Sequence, residues 1–368
     1  MDVSGEYMSR CLELAGNGKG NVAPNPMVGA VIVRDRLIIG EGYHRRYGEA
    51  HAEVNAIASV RDETLLRDAT MYVSLEPCSH YGKTPPCAEL IIRKGIPRVV
   101  VACPDPFPEI AGRGIRMLRD AGVEVVTGVM EREATALNRF FMTLHEKRRP
   151  YVILKWAQSE DGFIDGRRGG REEAPALLST PVTRLMVHKL RSEVQAIMVG
   201  TNTAVLDNPS LTVRYWAGAS PLRVTIDNHA RISGNARLFD GNPPALIYRK
   251  REEDAEDCTA VRSSPGGNRE YVTIDDSAHF LQKIVADLHA RNIGSLLVEG
   301  GARLHRSFLE EDIWDALIVE TAPARLGRGV PAVDFRAYYG VQRSAVKTVP
   351  SFHPDDGKTS LIETYTRD

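Results

Sequence analysis

The stretches HAEVNAIA at 51–58 and LEPCSHYGKTPPCAELIIRKG at 75–95 decide how the first half of this chain is read. They set an imidazole (His51), a carboxylate (Glu53) and two thiols (Cys78, Cys87) near the starts of two predicted helices. One neutral His and two thiolates suit Zn²⁺ with a fourth position left for water, whereas a structural zinc more often takes four protein ligands. Glu53 is a hard carboxylate placed awkwardly beside His51 for ligation, which leaves it free to move protons.

Local pattern supports this division. Residues 52–58 read as a buried helix, so His51 and Glu53 fall near its positive end. Cys87 follows Pro85 and Pro86 and opens the run CAELIIRKG, so its thiolate also sits at a helix start, where its pKa falls. The strand MYVSL delivers Cys78. Zinc held this way brings the pKa of a water to about 7, and a nearby carboxylate can carry the proton to a departing ring amine. Hydrolytic deamination is the expected chemistry. Any single Cys among Cys11, Cys78, Cys87, Cys103 and Cys258 would be read as a small buried hydrophobe; the combination outweighs that reading.

Composition narrows the class. At 368 residues the chain is long enough for about two domains. Its 26 % charged and 43 % hydrophobic residues describe an ordinary globular protein, and a net charge of −1 argues against a large nucleic-acid-binding surface. The N-terminus has interspersed charges and no apolar core, and no run reaches about 18 apolar residues, so no membrane span is expected. The odd, sparse cysteines fit a reducing compartment, and the expectation is a cytoplasmic protein.

Strands and helices alternate from residue 3 to residue 145, then the charged word HEKRRP at 145–150 interrupts them, and a second alternation starts at YVILKWA. Two α/β units are expected, 1–147 and 150–368. The charged and Gly-rich tract at 249–269 reads as an exposed loop. GTNTAVLDNPSLTVR reads as a glycine-opened loop after strand AIMVG, and EGGARL as a strand-to-helix turn whose N–H groups suit a phosphate. A tight turn with no function is an equally good reading of these glycines.

The words APNPMVGAVIV, GYHRRYGEAHAEVNAI, EPCSHYGKTPPC, DPFPEIAGRGI, PYVILKWAQSEDG, AIMVGTNTAVLDNPSLTVR and LLVEGGARLHRSFL, in this order, resemble the bifunctional riboflavin-biosynthesis deaminase/reductases over nearly the whole chain. Their most specific element is the eight-residue gap between Cys78 and Cys87, where other nucleobase deaminases use Cys-x-x-Cys. The resemblance implies a cytidine-deaminase-like α/β/α domain followed by a dihydrofolate-reductase-like α/β domain. It implies zinc and NADPH as cofactors, a phosphorylated pyrimidine as substrate, and a homodimer. Carried over singly, the zinc ligands fall on His51, Cys78 and Cys87, the proton shuttle on Glu53, and the pyrimidine pocket on Asn25, His44, His80 and Lys83. Ribosyl-phosphate contacts in the reductase fall on Lys155, Arg191, Leu211, Arg214 and Glu299. Cofactor contacts fall on Ala157, Thr203, Asp207, Gly301, Ala302 and Arg303.

Two departures from the family pattern stand out. Glu160 takes an apolar position in SEDG, and LLST at 177–180 replaces a Trp-Ile-Thr word after the charged stretch DGRRGGREEAPA. They keep open a second reading, a deaminase whose C-terminal domain serves oligomerisation. An RNA-binding module is disfavoured by the near-neutral charge, the few aromatics and the missing Cys-x-x-Cys, and a purely structural zinc protein by the set of three ligands where such sites more often supply four.

Overall fold

The computed structural model describes residues 3–81, 85–107, 111–241, 243–251, 262–263, 268–275, 278–338, 340–350 and 359–367. The chain divides into two compact units, Met1–Arg148 and Arg149–Asp368. No helix among the described residues is long and apolar enough to cross a membrane.

The first unit runs α1 (Val3–Gly16), β1 (Gly29–Arg34), β2 (Leu37–Tyr43), α2 (Ala52–Ala58), β3 (Thr70–Leu75), α3 (Cys87–Lys94), β4 (Arg98–Cys103), α4 (Arg113–Asp120), β5 (Glu124–Thr127), α5 (Glu131–Leu137) and α6 (Arg139–Glu146). Its five strands lie in the order β2-β1-β3-β4-β5; β1 is antiparallel to both neighbours, and β3, β4 and β5 are parallel. The central strands β1, β3 and β4 are buried almost end to end, as a sheet covered on both faces requires. One core packs α2 and α3 residues (Ala52, Ala56, Ile57, Ala88, Ile91) against Ile32, Met71, Val73 and Val99; the other packs α1 residues Met8 and Cys11 against Val31, Tyr72 and Val100.

The 131–145 segment, which reads as one helix in sequence, breaks at Asn138. The Asn138 amide pairs with both backbone groups of Met27, at 2.8 and 2.9 Å, a contact 111 residues away that local periodicity does not show.

The second unit runs β6 (Tyr151–Ser159), β7 (Phe163–Asp165), α7 (Pro181–Glu193), β8 (Ala196–Val199), α8 (Thr201–Asp207), β9 (Leu222–Ile226), β10 (Ala245–Lys250), β11 (Arg262–Ser263), β12 (Arg269–Ile274), α9 (Phe280–Ala290), β13 (Ser295–Glu299), α10 (Ala302–Glu310), β14 (Ala316–Ala322), β15 (Val330–Pro331), β16 (Val341–Pro350) and β17 (Thr359–Arg367). The large sheet has the order β11-β12-β10-β9-β8-β13-β6-β14-β17-β16, parallel from β12 to β14 and antiparallel at both margins. Its core joins Leu154, Met198, Val224, Leu296, Phe308 and Trp314. The segment after AIMVG is a short helix, α8, with Gly200 as its N-cap, rather than a loop. Most of the 249–269 tract lies outside the described residues; of the rest, 249–250 close β10, 262–263 form β11 and Arg269 opens β12.

Two features tie this architecture to measurable stability. A Cβ built on Gly42 in β2 would stand 2.3 Å from the Ala56 backbone nitrogen, so glycine is what lets α2 lie against the sheet. We expect Gly42→Ala to cost about 1–3 kcal/mol. A lowered melting temperature would accompany a loss of whatever chemistry α2 supports; an unchanged melting temperature would contradict the packing.

In the second unit, His305 is buried against the Trp156 ring, and burial pushes its pKa down from 6.5 to about 4. The folded state holds it neutral, so its contribution is complete above the unfolded pKa and is lost as pH falls from 6.5 through about 4. The loss approaches about 3 kcal/mol. Unfolding titrations at about pH 7 and about pH 4.5 should show a smaller acid loss for His305→Gln than for the parent; equal losses would contradict it.

Candidate active sites

In the first unit, three ligand atoms converge. His51 is the N-cap of α2, Cys87 is the first residue of α3, and Cys78 stands three residues beyond the end of β3. His51 Nδ1 lies 3.6 Å from Cys78 Sγ and 3.4 Å from Cys87 Sγ, and the three donor atoms all fall within 4.8 Å of one another. Donors sharing one tetrahedral Zn²⁺ at about 2.3 Å (S) and 2.1 Å (N) stand about 3.6 Å apart, so the residues present fit the ion. The Cys87 backbone N–H also donates to Cys78 Sγ at 3.3 Å. The pair shares one negative charge: the Cys87 thiol, then the His51 ring and the Cys87 N–H, draw Cys78 down to about 4, while the same contact and burial push Cys87 up. The Cys78 contact also raises the pKa of His51.

Glu53, 3 % exposed, stands beside these groups on the first turn of α2. Burial, with the Cys78 charge adding and His51 opposing, lifts its carboxyl to about 7. A carboxyl poised at this value can both accept and return a proton near neutrality.

His44 is buried with its ring edge-on to His51 at 5.5 Å. Its Nδ1 lies 3.1 Å from the Ala50 carbonyl, which only accepts, so Nδ1 carries the proton; Nε2, 3.3 Å from Asn25 Nδ2, then accepts. Burial lowers its pKa and keeps it neutral. Asn25 thereby spends an N–H on His44 and retains its Oδ1 as an acceptor. His80 is exposed, and Lys83 lies outside the described residues.

Sequence reasoning missed Glu76, the residue after β3. Its buried carboxylate accepts from four backbone N–H groups, those of Asp105, Gly112, Gly114 and Ile115, at 2.9–3.2 Å. Gly114 is required there, because a Cβ would meet the Pro77 carbonyl oxygen at 1.9 Å. The contact ties the start of α4 to the residues that present Cys78. The word LEPC carried no signal of this, since the partners lie 29 to 39 residues away.

In the second unit a cleft of about 690 Å³ opens at the carboxyl ends of β8 and β13, where ligands of parallel α/β sheets bind. The cleft gathers Lys155, Ala157, Arg191, Thr203, Asp207, Leu211, Glu299, Gly301, Ala302 and Arg303. Arg191 grips Glu299 bidentately at 3.0 and 2.6 Å and also donates to the Thr212 carbonyl at 3.2 Å. Burial works to raise the Glu299 carboxyl, but Arg191 and then Lys155 prevail and hold it below the usual carboxylate range. Gly300 and Gly301 have φ of 109° and 84°, and a Cβ on Gly300 would press Thr203 at 3.0 Å, so only glycines fit this turn before α10. Leu211 also has positive φ, 54°, a strained backbone held at the cleft.

Arg214 is not among the residues lining the cleft. Its guanidinium bonds to Ser210 and Thr212, and its N–H donates to His188 Nδ1 at 2.9 Å. Asp207 is paired with Arg168, which also holds Asp165 at 2.7 Å. Arg168 comes from the charged DGRRGG stretch, and of the LLST segment Leu177, Leu178 and Ser179 line the same cleft.

Comparison with known proteins finds a family match in each unit. Residues 1–103 match the cytidine and deoxycytidylate deaminase zinc-binding region, and residues 150–342 match the RibD C-terminal domain. The riboflavin biosynthesis protein RibD of Aquifex aeolicus is 38 % identical over 340 residues, covering 90 % of each chain. That of Bacillus amyloliquefaciens is 41 % identical over 323 residues, covering 87 % of this chain and 85 % of its own. A crystal structure from Thermotoga maritima, a diaminohydroxyphosphoribosylaminopyrimidine deaminase/5-amino-6-(5-phosphoribosylamino)uracil reductase, superposes with a TM-score of 0.85 at 34 % identity, covering 100 % of this chain and 99 % of that one. Acinetobacter baumannii RibD gives 0.82 at 32 % identity, with the same coverage. The cluster of three metal-donor atoms in the first unit and the cleft of the second thus sit in a chain that belongs to the RibD family of bifunctional riboflavin-biosynthesis deaminase/reductases.

Proposed function

We propose that residues 1–147 hydrolyse the 2-amino group of 2,5-diamino-6-(5-phosphoribosylamino)pyrimidin-4(3H)-one, and that residues 150–368 reduce the ribosyl chain of the deaminated product to ribityl. The observation that carries the first half is the buried Glu53 beside three donor atoms spaced for zinc. Zinc bound by His51, Cys78 and Cys87 supplies hydroxide at neutral pH by lowering the pKa of a water.

The chain's own residues do the rest. Glu53 takes the first proton of the water and passes it to the ring nitrogen, then carries the remaining hydroxyl proton to the departing amine, which leaves as ammonia. Asn25, locked against His44, offers its Oδ1 to a ring N–H. His80 and Lys83, which fall between Cys78 and Cys87 in the sequence, are the groups assigned to the ring edge and the phosphate.

In the second unit NADPH supplies the hydride. The turn at Gly300–Gly301 and the start of α10 offer backbone N–H groups to its phosphates, as helix starts do elsewhere. Ala157 and Thr203 stand in the same cleft, and Arg168 and Arg303 add positive charge there. Lys155 and the Arg191–Glu299 pair face the sugar being reduced. Asp207 serves the cofactor through its hold on Arg168. Arg214 serves the phosphate by ordering the Ser210–Thr212 loop.

Glu53→Gln separates the two halves. Zinc content by metal analysis should stay at the parent level and ammonia release should fall by about a hundredfold or more. NADPH oxidation with the deaminated intermediate should be unchanged. Ammonia release at the parent rate would refute the role of Glu53.

A further inference from the structure

The first unit buries an amide that its own helices do not use. Asn138 is 2 % exposed and stands at the break between α5 and α6. An Asn in that position ordinarily caps the helix that follows by accepting from its first-turn N–H groups, but this side chain makes no cap bond. It is spent instead on Met27: Oδ1 accepts from the Met27 N–H at 2.8 Å, and Nδ2 donates to the Met27 carbonyl at 2.9 Å. The amide thus satisfies both backbone groups of one residue, as a neighbouring strand would. A buried amide without partners is costly, so the helix break and the contact go together.

What the contact holds is the word PNPM at 24–27. Residues 26–28 have no regular structure, and β1 begins only at Gly29. Pro24 and Pro26 carry no N–H, so Asn25 and Met27 supply the only backbone donors of the word. The Asn25 N–H goes to the Val22 carbonyl at 2.9 Å, and the Met27 N–H goes to Asn138. Pro26 fixes its own φ and restricts the residue before it, Asn25, to extended conformations. One stiff residue therefore separates the clamped Met27 from Asn25, and a shift at Met27 carries over to the Asn25 side chain. The contact of Asn25 Nδ2 with His44 at 3.3 Å orients the amide, but it does not place the backbone that bears it.

We propose that Asn138 is a positioning residue of the deaminase site: it fixes the backbone at Met27 and, through Pro26, sets where Asn25 Oδ1 meets the substrate ring. This rests on the reading of Asn25 as a group that binds the pyrimidine. The metal donors and Glu53 have other anchors, on α2, on α3 and after β3. Ala134 and Met142, which flank Asn138, pack in the core with α1, Val31 and Val33, whereas α2 and α3 pack with Ile32 on the other face of the sheet. Loss of the Asn138 contact should therefore weaken substrate binding and leave zinc and proton transfer in place, so it should show in KM more than in kcat.

The test follows ammonia release from the diamino substrate for Asn138→Ala, Pro26→Gly, Asn25→Ala and the Asn25→Ala/Asn138→Ala double variant, with zinc content and melting temperature on the same preparations. Asn138→Ala should raise KM about tenfold and change kcat by less than about threefold, at parent zinc content. Pro26→Gly leaves the Asn138 contact intact and loosens only the spacer; it should raise KM about threefold to tenfold, and it decides the case if Asn138→Ala does not fold. The double variant should lie within about twofold of Asn25→Ala alone, because Asn138 acts through Asn25. If Asn25→Ala raises KM while Asn138→Ala and Pro26→Gly keep the parent value, the inference fails and the reading of Asn25 stands. If Asn25→Ala itself keeps the parent KM, both fail. An Asn138→Ala loss that comes with zinc below the parent level, or that multiplies with the loss from Asn25→Ala, would mark a purely structural role and overturn the inference.

Discussion

Two sulfurs and an imidazole nitrogen held within 4.8 Å of one another are the constraint on which the first unit depends. Two thiolates this close repel one another unless a cation is shared among the three donors. The fold meets this demand by starting two helices at one place. His51 precedes α2 and Cys87 opens α3, so both groups lie at positive helix ends, while β3 carries Cys78 to meet them. Glycine at position 42 allows α2 to approach the sheet closely, and Glu76 anchors the neighbouring segment through four backbone N–H groups.

The same burial that assembles the ligands tunes the group beside them. Removing Glu53 from water raises its carboxyl to about 7, where proton acceptance and return are balanced. His44, buried and neutral, turns Asn25 into an oriented acceptor. The second unit solves a different problem with paired charges. Arg191 with Glu299, Arg168 with Asp207, and Lys155 with Glu320 set three ion pairs in and beside one cleft.

How much of this was legible in sequence depends on the range of each contact. The convergence of His51, Cys78, Cys87 and Glu53 was legible because each is set by a nearby helix start or strand end. The cleft glycines at 300 and 301 were legible as a turn, but their need to clear Thr203 appears only in three dimensions. Asp207 and Arg214 were expected to meet ligands directly; Arg168, which pairs with Asp207, and His188, which accepts from the Arg214 N–H, lie 39 and 26 residues away where no local pattern connects them, whereas Ser210 and Thr212 lie in the same word as Arg214. Glu320 gave no sign at all, because a Glu in a strand reads as solvent-facing until a lysine diagonal to it on the next strand is seen. The marginal strands β16 and β17 went unread for a related reason: residues 342–348 of β16 are exposed, so no apolar alternation marks them.

The central claim is that one chain performs a hydrolysis and a reduction in sequence on one phosphorylated pyrimidine. It is tested most directly by supplying the parent protein with the diamino substrate and NADPH and following ammonia and NADPH absorbance in a single sample. The account predicts that both signals change, with NADPH oxidation lagging ammonia release and reaching the same final amount. Ammonia release with no NADPH oxidation at saturating cofactor would contradict it.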